Sequence, residues 1–274
     1  MPQRENIRRM FDGIAPGYDA FNHIASLGID RRWRRIALRE VDGPRVLDEA
    51  CGTGDFALAT ARKARRESRH APCEARHARP DRASTPWSIT GVDISERMLE
   101  VMRRKVASAG FAPEAGSGNP AVTVIAETGD CCDLHFPDGS FDSVTVAFGM
   151  RNFEDREKAL SEVLRVLRPG GRFVMLELGV PRARLVRFAY KLYLNGIMPL
   201  IGRCLTGDRA AYEYLSSSVM AFPEPEKWLQ TLLSAGFVTA RHRSLSLGIC
   251  NLFVATAPDR SRSLPMDGSE GFGV

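Results

Sequence analysis

An acid stands four residues ahead of a pair of glycines in Asp48-x-x-x-Gly52-x-Gly54, directly after the apolar pair Val46-Leu47 and ahead of a helix-forming stretch that begins near Asp55. Glycines at the point where a strand hands over to a helix let backbone approach a ligand, and the helix start faces a carboxylate or phosphate. Gly52-Thr53-Gly54-Asp55-Phe56-Ala57 also satisfies the G-x-G-x-x-A form of dinucleotide sites. Asp93, at the end of the next apolar run, is placed to accept from both hydroxyls of a ribose. That contact suits NAD as well as S-adenosylmethionine, so both stand as ligands here.

Three features favour the sulfonium nucleoside. A carboxylate at Asp48 can face the ammonium of a bound amino acid but would repel a pyrophosphate. Asp130, directly after the third apolar run, is placed to meet an adenine amino group. The chain also closes on an antiparallel strand pair where a dinucleotide fold has a sixth parallel strand. The plainer alternatives are an N-cap or turn role for Asp48 and a turn role for Asp130.

Elements that place these residues can be read from the same pattern. From Arg45 to Leu178 short apolar runs alternate with longer helical periodicities, as in a parallel sheet flanked by helices. Strands are expected at Val46–Asp48, Trp87–Val92, Val122–Ile125, Phe141–Phe148 and Arg172–Leu178. Ser95 is the expected cap of a helix through Met98, Leu99, Met102 and Val106. A second helix through Ala159, Val163, Leu164 and Leu167 is expected to stop at Pro169-Gly170-Gly171. The stretch Leu185–Leu205 reads as amphipathic helix. Phe222-Pro223 precedes a helix through Trp228, Leu232 and Leu233 that ends at Gly236, and Phe237–Leu245 and Ile249–Thr256 read as antiparallel neighbours. The expected organisation is an N-terminal helical cap (1–44), a catalytic domain (45–257) with an Arg/His-rich inserted loop at about 67–86 and a helical lid at about 182–220, and a disordered tail (258–274).

With 274 residues, 44% of them hydrophobic and 26% charged, the chain is an ordinary folded protein. Arg62–Arg82 holds eight cations and three anions, which accounts for the whole net charge of +5, and 33 of the cations in the chain are arginine. No motif or aromatic platform accompanies them, so nucleic acid is not an expected partner. The six cysteines lack C-x-x-C spacing, which argues against a disulfide scaffold and against a zinc site, and no metal ligands are assigned. Neither a secretory signal nor a spanning helix is apparent, so a cytoplasmic protein, or one peripheral at the inner face of a membrane, is expected.

Four segments carry a closer likeness: Val46-Leu47-Asp48-Glu49-Ala50-Cys51-Gly52-Thr53-Gly54-Asp55, Gly91-Val92-Asp93-Ile94-Ser95, Phe136-Pro137-Asp138-Gly139-Ser140-Phe141-Asp142 and Ala147-Phe148-Gly149-Met150-Arg151-Asn152. Together with Phe11-Asp12-x-Ile14-Ala15-x-x-Tyr18-Asp19, Asn22, Tyr212-x-Tyr214-Leu215 and Phe222-Pro223, the chain from about residue 5 to 256 resembles the ubiquinone/menaquinone C-methyltransferase family (UbiE/MenG). The most specific run is F-G-x-R-N.

The resemblance implies an α/β class I methyltransferase fold, a Rossmann-like doubly wound sheet that is mostly parallel with an antiparallel C-terminal pair, and S-adenosyl-L-methionine as cofactor. It implies cofactor contacts from Thr53, Asp93, Asp130 and Cys131, beside Asp48, Gly52 and Gly54 of the loop. Ala147 stands where some members have serine. The implied reaction methylates a ring carbon of demethylmenaquinol or of a polyprenyl methoxybenzoquinol, and the resemblance points to Arg151, Asn152 and Tyr18 as catalytic. Arginine is too basic to act readily as a free base, so Arg151 is read as the cation that steadies a forming phenolate, with Asn152 and Tyr18 orienting the ring oxygens. Caps of a turn or a core-edge aromatic are the structural alternatives, and His23 and His135 are the other bases to consider. The implied partners are the prenylated quinol, a membrane surface touched through 188–201 or Arg31-Arg32-Trp33-Arg34-Arg35, and a homo-oligomer or a quinone-synthesis complex. A nicotinamide oxidoreductase and an inert cofactor-binding subunit remain the rival readings.

Overall fold

The computed structural model describes residues 4–70, 85–113, 121–201 and 209–259. These residues form one seven-stranded sheet in the order β3-β2-β1-β4-β5-β7-β6. Its strands are β1 (Arg45–Glu49), β2 (Trp87–Asp93), β3 (Val122–Thr128), β4 (Phe141–Ala147), β5 (Leu167–Leu178), β6 (Thr239–Leu245) and β7 (Cys250–Thr256). All neighbouring pairs from β3 to β5 are parallel, whereas β7 runs antiparallel between β5 and β6. The central strands are buried on both faces, which explains why they read as unbroken apolar runs.

Helices α4 (Asp55–His70), α5 (Glu96–Ser108) and α6 (Arg156–Val166) make the crossovers. Ser95 caps α5 by accepting from Met98 N at 3.2 Å, and Asp155 caps α6 by accepting from Lys158 N at 2.9 Å. Three helices precede the sheet: α1 (Arg4–Ile14), α2 (Tyr18–Ala25) and α3 (Asp30–Ala37). After β5 come α7 (Arg184–Leu192), a π-helical turn at Tyr193–Ile197, α8 (Arg209–Ala221) and α9 (Pro225–Ser234).

The strand order reverses between β1 and β4, and ligands of doubly wound sheets bind at the carboxyl ends of the strands at that switch. Along β1 the pleat sends Val46 and Asp48 toward α3 and α4, and Leu47 and Glu49 toward α6. At the strand ends Ala50 and Phe148 hold left-handed backbone (φ 49 and 67), an uncommon state for side-chain-bearing residues that keeps both turns tight. Gly149 is required between them, since a Cβ there would lie 2.6 Å from that of Ala50.

Several strand ends shift by one to three residues from the sequence reading, and two boundaries differ by more. Leu167 begins β5 rather than ending the helix, and Pro169-Gly170-Gly171 form a register shift inside the strand before Arg172 pairs with Ser143. The Arg/His stretch assigned to a loop starts helical, because α4 continues through His70. Residues 71–84, 114–120, 202–208 and 260–274 lie outside the described residues, and with them most of the inserted loop, part of the expected lid and most of the tail.

Candidate active site

A cleft of about 980 Å³ opens at the switch point. It is lined by Ala50, Gly52, Asp93, Gly129, Asp130, Cys131 and Ala147 from the strand-end loops, and by Phe11, Tyr18, Asn152, Phe153 and Trp228. The loops after β1, β2, β3 and β4 thus converge with α1, α2 and α9 on one volume.

Among the loop residues, Asp93 is buried and accepts from the backbone N–H of Gly52 and of Ser95, both at 2.8 Å. Burial pushes its carboxyl up to about 6, against the pull of those N–H groups, so it is ionised at neutral pH. A carboxylate has about four acceptor positions, which leaves room for hydroxyl donors from the cleft. Asp130 accepts from Cys132 N at 2.9 Å and pairs with Arg4 at 2.5 Å. Cys131 is buried on the cleft wall with its thiol pushed well up by burial, and Cys132 is raised to about 11, so both are neutral thiols. Among the described residues Cys51, Cys131, Cys132 and Cys250 are free.

Three of the loop residues singled out from sequence do not form the cleft wall. Gly54 instead lets the turn pack on Met102, whose Cγ would lie 2.5 Å from an added Cβ. Thr53 is turned away, donating to Asp19 Oδ1 at 2.5 Å. Asp48 lies under the loop; its Oδ1 accepts from Thr145 Oγ1 at 2.7 Å, while Oδ2 is buried without a partner. Burial pushes this carboxyl up to about 7. A buried, half-satisfied acid beneath a glycine loop suits a cationic group and opposes a phosphate. The donor set therefore fits an amino-acid-bearing nucleoside.

Among the aromatic residues of the cleft, Tyr18 lies against Gly52 and meets Phe11 edge-on at 6.0 Å; burial raises its hydroxyl, which is a neutral donor. Asn152 accepts from Tyr214 Oη at 3.1 Å through Oδ1, which leaves its Nδ2 amine to serve the cleft. Arg151 sits behind this wall rather than on it. Its Nη1 donates to Glu177 Oε1 at 2.7 Å and to the Phe148 carbonyl, and its N–H donates to Glu177 Oε2 at 3.0 Å. Burial opposes the guanidinium charge, but the Glu177 carboxylate holds it firmly protonated. Its Nε is buried without a partner. His23 pairs with Asp30 at 3.1 Å and His135 with Glu127 at 3.0 Å; neither lines the cleft.

Glu177 is the residue that sequence reading passed over. The signal was an acid inside the apolar run Val174–Leu178, where a wholly buried carboxylate demands a partner. A second missed group is Lys105, which donates to Asp19 at 2.8 Å and Asp55 at 2.6 Å and so ties α2 to α4 and α5.

The profile of the ubiE/COQ5 methyltransferase family matches residues 2–257. The chain is 42% identical over 254 residues, covering 91% of itself and 87% of the relative, to a ubiquinone/menaquinone biosynthesis C-methyltransferase UbiE from Geobacter sulfurreducens. It is 38% identical over 255 residues to a demethylmenaquinone methyltransferase from Bacteroides fragilis, with 92% of each chain covered. Among solved structures it shares its fold with the [4+2]-cyclase SpnF (TM-score 0.60, 18% identity, 94% and 97% coverage) and with a SAM-dependent methyltransferase from Thermotoga maritima (0.55, 17%, 90% and 98%). The chain belongs to the ubiE/COQ5 methyltransferase family and is an enzyme that takes its methyl group from S-adenosyl-L-methionine.

Proposed function

We propose that this enzyme methylates a ring carbon of a prenylated quinol, with demethylmenaquinol as the preferred substrate and a polyprenyl methoxybenzoquinol as the second. The observation that supports the reading is a single cleft lined both by the strand-end loops of a nucleoside site and by the aromatic side chains Phe11, Tyr18, Phe153 and Trp228. The names of the relatives from Geobacter and Bacteroides support the quinone class. Membership in a methyltransferase family leaves the nicotinamide reading without support.

Bound S-adenosyl-L-methionine supplies an electrophilic methyl on a sulfonium. The chain's own part begins with holding that group: Asp93 answers the ribose and Asp130 the adenine edge, with Gly52 and Cys131 alongside, and Asp48, beneath the loop, draws the ammonium through its field. Asp130 already pairs with Arg4 and keeps further acceptor positions for this contact. Thr53 and Gly54 shape the loop. Tyr18 and the Nδ2 of Asn152 donate to the quinol oxygens. A quinol carbon becomes nucleophilic as its phenolic proton passes to water, and once that carbon carries the methyl its ring proton is lost to water as well; the guanidinium of Arg151, fixed by Glu177, favours the phenolate through its field from behind the wall. Neutral Tyr18 and Tyr214, both raised by burial, are donors and not bases for that proton.

The prenyl chain needs an apolar path. Tyr190, Leu194 and Met198 turn inward from α7 and the segment after it, whereas Leu185, Phe188, Leu192, Ile197 and Leu200 point outward beside Arg184, Arg187 and Lys191. No helix among the described residues is long and apolar enough to cross a membrane. This outward stripe is the peripheral membrane contact in the proposal.

Incubation with labelled methyl donor and a short-chain demethylmenaquinol is expected to give the ring-methylated product. An Arg151→Met chain should bind S-adenosylhomocysteine normally yet lose about a hundredfold or more in turnover. No labelled product from either quinol class would defeat the proposal, and unaltered turnover in the Arg151 variant would remove that residue's role.

A further inference from the structure

A second cavity, of about 520 Å³, lies between α3 and α4, outside the cleft. Six cationic side chains line it: Arg31, Arg34 and Arg35 from α3, Arg62 and Arg66 from α4, and Lys105 from α5. The i, i+4 spacing of Arg31 with Arg35 and of Arg62 with Arg66 brings each pair to one helix face. The two carboxylates that line it, Asp19 and Asp55, are already bridged by Lys105. Arg34 pairs with the buried Asp30. Arg31, Arg35 and Arg62 are exposed and form no ion pair with any described residue.

The surroundings say what kind of anion this concavity takes. The turn joining α2 to α3, between His23 and Arg31 of the cavity wall, carries Ile24, Leu27 and Ile29 to the surface, with Leu27 83% exposed on left-handed backbone (φ 53). Tyr193 Oη donates to the Ala25 carbonyl at 2.5 Å, which fastens that turn to the segment bearing the outward stripe of α7. A bulky residue in left-handed backbone at a turn tip persists where its surroundings over-determine it. Here the turn that leads into α3 carries the exposed Leu27 four residues ahead of Arg31, and the unpaired guanidinium groups of the cavity are planar forks that match phosphate oxygens.

We infer that the cavity between α3 and α4 binds the phosphate headgroup of an anionic phospholipid, with Arg31, Arg35 and Arg62 as its ligands and Leu27 and Ile29 set against the acyl boundary. The inference rests on the peripheral contact proposed for α7. It adds a headgroup preference that an apolar stripe alone does not confer. The basic run of α3 thereby acquires a role that the methyl-transfer chemistry leaves unused.

The test is sedimentation of the full-length chain with vesicles of phosphatidylcholine alone and with about one third phosphatidylglycerol. The wild-type chain is expected to prefer the anionic vesicles by at least about tenfold, and an Arg31→Gln/Arg35→Gln/Arg62→Gln chain to fall to its phosphatidylcholine level. A control, Arg97→Gln/Arg104→Gln/Arg243→Gln, removes the same charge at exposed positions outside the cavity and should retain most of the preference. Equal binding to both vesicles, or equal loss in both triple variants, would overturn the site. So would stabilisation by inorganic phosphate with no response to the anionic vesicles, which would assign the cavity to a free phosphoryl anion. A Phe188→Ser/Leu192→Ser chain separates the two readings: retained headgroup preference with unchanged vesicle binding would refute the α7 contact and leave the cavity standing.

Discussion

Asp48 and Glu49 are adjacent buried acids that face opposite sides of β1, and neither is fully satisfied. Burial lifts Asp48 from the ordinary 3.8 to about 7, so the folded chain keeps a proton that the unfolded chain has lost. Stability from this group falls as pH rises from about 4 through about 7. A cationic ligand draws the value back down. S-adenosylhomocysteine should therefore bind more tightly as pH rises toward about 7 and level off above it, as calorimetric titration would show. In Asp48→Asn the affinity should drop about ten- to a hundredfold and lose that pH dependence. Glu49 has both oxygens buried without partners, in the apolar layer beneath α6, and burial holds its carboxyl well above the ordinary range. Replacing it with Met should raise stability by about 1–3 kcal/mol, more at pH 8 than at pH 5, measured by urea unfolding.

Among the elements, the turns after β1 and β4 face each other across the switch point and have almost no slack. A methyl at Gly149 would meet Ala50 Cβ at 2.6 Å and Val146 Cγ1 at 3.3 Å. Gly149→Ala should cost about 1–3 kcal/mol and lower Tm by about 2–10 °C. Adding Ala50→Gly removes the opposing methyl and relieves left-handed backbone, so calorimetry of the double variant should recover most of the loss. This reciprocity follows from the sheet register, in which β1 and β4 are direct parallel neighbours.

For the molecule as a whole, the cleft is complete only while the N-terminal helices sit on the sheet layer, because Tyr18 and Phe11 come from α2 and α1. Lys105 is one polar clasp between them, held between Asp19 and Asp55. Burial disfavours the Asp55 charge, but Lys105 and Arg34 more than offset it and hold its carboxyl below the ordinary range. The clasp is thus present above the ordinary carboxylate value and weakens as pH falls through the lowered one. Lys105→Met should speed amide exchange in α1 and α2 by about five- to a hundredfold while leaving β1, β4 and β5 protected, and Lys105→Arg should restore part of the protection.

Patterning alone settled the doubly wound sheet, because strands buried on both faces must be continuously apolar and glycine turns must follow them, and both marks are local in the chain. It also marked Asp93 and Asp130, and the family resemblance added Cys131, Tyr18 and Asn152; all five line the cleft. Local pattern carries no record of which way a side chain turns once a distant partner competes for it. Thr53 chose Asp19, thirty-four positions away, and Arg151 chose Glu177, twenty-six positions on. A buried charge finds its counter-charge through packing of separate elements, so the identities of Glu177 and Lys105 as partners, and the position of Arg151 behind the wall, were decided only in three dimensions.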